Sequence, residues 1–224
     1  MRERFLGLQG KRLYLMRHGQ TYEPRLDTPM ASAGEDPGLP LTPAGRADVA
    51  ATAQAMAKLD LDAAFSSTFQ RSLETARLIA EPHGLDVRTH PAFEELRLHP
   101  EPGGTLLDVA RKYLALSQEL AAREASAVTL ECGRSVAKVI AGAEDALAEL
   151  LAGPARRILV VAHGGLNRFL LTGFLGLPPH RFLAVDQDFA CVNVVEFVAG
   201  GRPWVRALNV TFSDPFKAAD LARR

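Results

Sequence analysis

Cysteine is almost absent: Cys132 and Cys191 are the only two in 224 residues. Two cannot make a disulfide framework, and the chain fits a reducing compartment, which points to the cytoplasm. There is no CxxC and no His/Cys pair at zinc spacing, so no metal site is expected. An excess of charge is absent too. Lys+Arg and Asp+Glu number 26 each, which removes the electrostatic case for binding nucleic acid or a membrane surface. No long apolar segment follows Arg2, Glu3 and Arg4, so neither a signal peptide nor a membrane span is expected. The chain has no Gly-x-x-x-x-Gly-Lys loop and no Gly-x-Gly-x-x-Gly turn, so nucleotide binding by either route lacks support. It has no internal repeat.

What is present is a chain that is 47% hydrophobic, enough to bury a sizeable core. Its length suits one α/β domain over residues 1–224. Its most telling stretch is Arg12 to Thr21. Leu13, Tyr14, Leu15 and Met16 read as a buried strand that stops at Arg17-His18-Gly19. In α/β folds, ligands bind outside the carboxyl ends of strands. Gly19 would let the backbone turn sharply or approach a ligand.

Two further transitions repeat the pattern. Leu61 to Phe65 is a short strand running into Ser66-Ser67-Thr68-Phe69-Gln70-Arg71 and then a helix. A helix N-terminus offers free N–H groups and its positive dipole end, which suits an anion. Arg71 adds a guanidinium that can grip phosphate oxygens as a fork. An isolated arginine there would pair with Glu74 or Glu81. Ile158 to Val161 is an apolar, β-branched run, expected to be a central parallel strand, and it ends in Ala162-His163-Gly164-Gly165.

These three motifs resemble those of the histidine phosphatase superfamily, whose members include phosphoglycerate mutases and acid phosphatases. The resemblance covers roughly residues 12–198. It implies a phosphoglycerate mutase-like fold, a three-layer α/β sandwich with a mostly parallel central sheet flanked by helices. It implies a nucleophile at His18, with Arg17, Arg71 and His163 around the transferring phosphate and Gly164 beside them. It also implies an acid in Phe93-Glu94-Glu95-Leu96, best aligned at Glu95 with Glu94 as fallback. A carboxyl beside a phosphate is pushed toward its protonated form, which suits an acid for the leaving oxygen. No metal is implied, since arginines and histidines supply the positive charge. The expected partner is a small phosphorylated metabolite, and a homodimer is admitted because many relatives dimerise.

The chain departs from the family in places. The segment after the acid reads Leu98-His99-Pro100-Glu101-Pro102-Gly103-Gly104, and residues 97–134 form a lid or insert. Gln20-Thr21-Tyr22-Glu23 replaces the Trp-Asn pair of mutases, which favours a phosphatase. Two other readings stand beside it, a phosphomutase and a catalytically silent phospho-ligand binding module. Gly133-Arg134-Ser135 is close to a serine-hydrolase elbow but follows no predicted strand.

The remaining expectations are structural. Residues 1–11 form a peripheral lead-in and 22–40 a loop by the site. Helices are expected from Ala47 to Leu59, Leu106 to Ala127, about Ser135 to Leu151 and Leu166 to Leu175. Asp86 to Thr89 is a third strand. Ala190 to Val198 is an antiparallel edge strand that Val205 to Val210 joins, and 213–224 is a tail. His99 is the one remaining histidine expected near a pocket rim.

Overall fold

The computed structural model describes residues 2–5, 7–23, 25–32, 34–199 and 203–214. Among the described residues, six strands form one sheet: β1 (Lys11–Arg17), β2 (Ala63–Ser66), β3 (Val87–Thr89), β4 (Arg157–Ala162), β5 (Val192–Phe197) and β6 (Pro203–Val210). Their spatial order is β3-β2-β4-β1-β5-β6. β1, β2, β3 and β4 are parallel, while β5 runs antiparallel to β1 and β6 antiparallel to β5. β5 is therefore not the edge strand: β6 pairs antiparallel along it and takes the edge.

Among the described residues, the α-helices are α1 (Pro43–Met56), α2 (Gln70–Ala80), α3 (Leu106–Ala122), α4 (Val136–Ala152) and α5 (Gly164–Phe174). Successive side chains on a strand point to opposite faces. On β1, Leu13 and Leu15 join a core with Leu147 and Leu151 of α4 and Leu170 of α5. Tyr14 and Met16 join another core with Val49 and Met56 of α1 and Ile79 of α2. Ile158 and Val160 of β4 face the first core, Leu159 and Val161 the second. Both faces are covered, which is why these strands are apolar without alternation. The result is a three-layer α/β sandwich. A third cluster packs Leu116 and Leu120 of α3 against Phe169 and Phe182.

Local sequence sets most helix starts. The Thr42 side chain accepts from Gly45 N and Pro43 fills the first turn of α1. Thr105 and Asp108 form a capping box on α3, which ends at Ala122, short of the expected Ala127. The Ser135 side chain accepts from Lys138 N and caps α4. It is a helix cap with no strand before it, which removes the nucleophile-elbow reading.

Two expectations change. The lead-in is not peripheral: Phe5 is fully buried, with ring centroids 5.6 Å from Phe174 and 5.2 Å from Phe197. Arg4 pairs with Glu144 and Asp145. Gly19 serves helix packing rather than a turn. A Cβ there would lie 2.6 Å from Val49 Cγ2, and one on Gly45 would lie 2.3 Å from the Gln20 oxygen. These paired glycines let α1 sit directly on the segment after β1. Of the expected tail, residues 215–224 lie outside the described residues. Among the described residues, no helix is long and apolar enough to cross a membrane.

Candidate active site

Strands β1 and β4 run in register, with Arg17 opposite Ala162. They end together, so His18 and His163 emerge side by side at one sheet edge. The His18 amide donates to the Ala162 oxygen at 3.1 Å, and the two imidazole centroids are 5.1 Å apart. Both rings are buried.

The His18 ring is oriented from both sides. Nδ1 lies 2.8 Å from the Gly19 carbonyl oxygen. A carbonyl only accepts, so Nδ1 carries the proton. Nε2 is left with its lone pair and accepts from Arg71 Nε at 3.2 Å. Burial pushes the His18 pKa well below the usual histidine range, and Arg71, His163 and Arg17 push it further. His163 is lowered by burial and then by Arg71 and Arg17. Both imidazoles are therefore neutral at pH 7. His163 Nε2 sits 2.7 Å from Ser67 Oγ and 3.3 Å from Ser72 Oγ. Its Nδ1 is buried with no hydrogen-bond partner among the described residues.

Two guanidiniums flank these rings. Arg17 Nη1 donates to the Gln187 oxygen at 2.6 Å, and the group lies 3.8 Å over the Phe189 ring, a cation–π contact. Arg17 Nε is buried without a partner among the described residues. A Cβ on Gly164 would come within 3.2 Å of that nitrogen, so glycine at the start of α5 makes room for the arginine. Arg71, in the first turn of α2, pairs with neither Glu74 nor Glu81. Its Nη1 donates to the Asp36 carbonyl at 2.6 Å and its Nη2 to the Asp36 carboxylate at 3.0 Å.

The adjacent acids separate cleanly. The Glu95 carboxylate accepts from Gly165 N at 3.0 Å and Leu166 N at 3.1 Å, at the N-terminus of α5, which its charge favours. Glu94 instead accepts from Thr68 Oγ1 and Arg97 Nη2, each at 2.6 Å. Glu95 lines the cavity and Glu94 does not.

The fold thus brings His18, Arg17, Arg71, His163, Gly164 and Glu95 together. All but His163, which lies fully buried beside His18, line one cavity of about 840 Å³. His99 lies on its wall. A neutral imidazole whose Nε2 lone pair meets Arg71, two guanidiniums and a carboxyl group have the chemistry of an anion site beside a candidate nucleophile and a candidate proton carrier.

Sequence reasoning missed Asp36, Tyr113, Gln187 and Phe189, all in the wall. They come from a loop, from α3 and from the segment before β5, and no local pattern marks them. Ser67 lay inside a motif already singled out, but its bond to His163 spans 96 positions.

The sequence model of the histidine phosphatase superfamily (branch 1) matches residues 13–211. The 2-carboxy-D-arabinitol-1-phosphatase of Triticum aestivum is 29% identical over 222 residues, covering 96% of this chain and 44% of that protein. The chain therefore spans less than half the length of the wheat relative. The glucosyl-3-phosphoglycerate phosphatase of Mycobacterium tuberculosis (strain ATCC 25618 / H37Rv) is 29% identical over 187 residues, covering 76% of this chain and 78% of the relative. A solved structure of mycobacterial glucosyl-3-phosphoglycerate phosphatase with VO3 superposes with a TM-score of 0.69 at 26% identity, covering 89% of this chain and 99% of that one.

Proposed function

Given that the chain belongs to the histidine phosphatase superfamily, we propose that it hydrolyses a small phosphomonoester, without a metal, through a phosphohistidine on His18. The observation that carries this reading is the His18 ring itself. Its proton is fixed on Nδ1 by Gly19, and its unprotonated Nε2 accepts from Arg71. The two relatives named above are phosphatases by name, which supports hydrolysis over transfer within a sugar acid.

In the first step, the Nε2 lone pair attacks phosphorus. The N–P bond forms as the ester P–O bond breaks, and its electron pair leaves on the alcohol oxygen. Glu95, as the carboxylic acid, protonates that oxygen. Arg17, Arg71 and His163 offset charge on the three equatorial oxygens. In the second step, Glu95 as carboxylate takes a proton from water. The water oxygen attacks phosphorus, and the N–P electron pair returns to Nε2. Cys132 and Cys191, reduced cysteines rather than a disulfide, suit the cytoplasm as its location.

The test is release of p-nitrophenol from p-nitrophenyl phosphate, with and without chelator, by the protein and its His18→Ala variant. Release that resists chelator and disappears in the variant is expected. Release that survives His18→Ala would overturn the nucleophile. No release across acid to neutral pH, with phosphohistidine forming from a bisphosphorylated donor, would move the reading to a mutase.

A further inference from the structure

The cavity is far larger than a phosphate, and its outer wall is built differently from its charged end. On α3, Leu106, Val109 and Tyr113 stand three and four positions apart, so they share one helix face. All three line the cavity and are only half-buried. One and two turns further on, Leu116 and Leu120 lie buried against Phe169 and Phe182. A single apolar stripe is thus split. Its second half is covered by protein, and Tyr113 packs partly against the same cluster, its ring 6.0 Å from Phe182, while Leu106 and Val109 face the cavity.

The other side of that space is aromatic. Tyr22 and Phe189 meet edge to face, with centroids 5.3 Å apart, and both line the cavity. Among the described residues, four arginines line it: Arg17, Arg71, Arg97 and Arg168. The first two flank His18. Arg97 is held by Glu94 at 2.6 Å and Arg168 by Asp186 at 3.1 Å. Arg97 and Arg168, the two arginines outside the pair that flanks His18, thus each already hold an acid.

We propose that the substrate alcohol carries an uncharged apolar group, a ring or a short chain, which lies between the α3 stripe and the Tyr22–Phe189 pair. The proposal deepens the phosphatase reading and rests on it for the position of the phosphate. Anchored by its phosphate at His18, such an ester removes from water the half-buried face that α3 leaves open. A carboxylated alcohol would bring a second negative charge to a wall whose outer arginines are paired.

The experiment compares two primary alkyl monoesters, 3-phenylpropyl phosphate and 3-phosphoglycerate, in the protein and in Leu106→Asn and Val109→Asn. The ratio of kcat/KM is taken within each protein, so a change in overall rate or folded fraction cancels. The expected ratio favours the phenylpropyl ester by about tenfold or more, and each variant lowers it about fivefold. Equal or better use of 3-phosphoglycerate would overturn the proposal, as would a ratio that neither variant moves. Titration calorimetry of both esters on His18→Ala reads the same preference without turnover. Loss of all turnover in the wild type would therefore sink the phosphatase reading, while the binding preference still decides this one.

Discussion

The His18 end of the cavity and its α3 wall differ in how their residues are held. At the His18 end, the histidines and arginines leave a strand tip or a helix start, Glu95 leaves a loop, and each has a fixed partner. Gly19 holds the His18 ring, Ser67 holds His163, and α5 amides hold Glu95. At the wall, Leu106, Val109 and Tyr113 present half-buried apolar surface without a polar partner of that kind. Directional bonds place reacting atoms to within the tolerance that chemistry demands, whereas apolar surface selects by shape and area. In the proposed reading, the first end sets the reaction and the second selects the ester.

Four substitutions or conditions probe that division. The largest effect is expected from Arg71→Leu, which removes a guanidinium from the transferring group. It should lower kcat/KM by about 10³ on every ester alike. A loss confined to one ester would mean that Arg71 serves selection, and the two ends would no longer be distinct. Glu95→Gln comes next, with kcat/KM, which stops at P–O cleavage and leaves out the later hydrolysis of phosphohistidine, down about 10²-fold on alkyl esters and far less on p-nitrophenyl phosphate, whose leaving group needs no proton. Equal losses on both esters would remove Glu95 as the acid.

Asp36 joins the two regions, since it belongs to the loop after β1 yet occupies the fork of Arg71. A bound phosphate must share that fork with a carboxylate of like charge. Asp36→Asn should therefore tighten inhibition by inorganic phosphate about fivefold, the scale of one partly buried ion pair. A weaker inhibition constant would show instead that Asp36 holds Arg71 in place for the anion.

The smallest effect is on stability. His18 and His163 are held neutral below the usual histidine range. The unfolded chain takes up those protons near pH 6.5, at the ordinary histidine value, while the folded chain does not. Below that pH the unfolded state binds more protons, so stability rises with pH and levels off above about 6.5. The thermal midpoint should fall on acidification, with a shallower acid limb in His163→Gln. Parallel limbs in the two proteins would place the acid sensitivity elsewhere.

The legible parts of the sequence were those where chemistry follows directly on an apolar run. Strands β1, β2 and β4 could be read, with the polar residues at their ends, because strand period and helix starts are local properties. The adjacent Glu94 and Glu95 could not be separated by pattern, because one peptide step decides which carboxyl meets α5 and which meets Arg97. Phe5 looked like part of a loose end until its ring was seen between Phe174 and Phe197. The exchange of edge strand between β5 and β6 was hidden for the same reason: strand order is a property of pairing, not of either strand's composition.

By itself, then, the sequence determined the individual strands and helices and the candidate groups at the strand ends, because those follow from residues within one or two turns of each other. Only the tertiary structure decided that β1 and β4 end in register, that Asp36 reaches Arg71 across 35 positions, and that half of the α3 stripe faces a cavity. Those outcomes depend on contacts between segments far apart in the chain, and no local periodicity encodes which distant segment arrives.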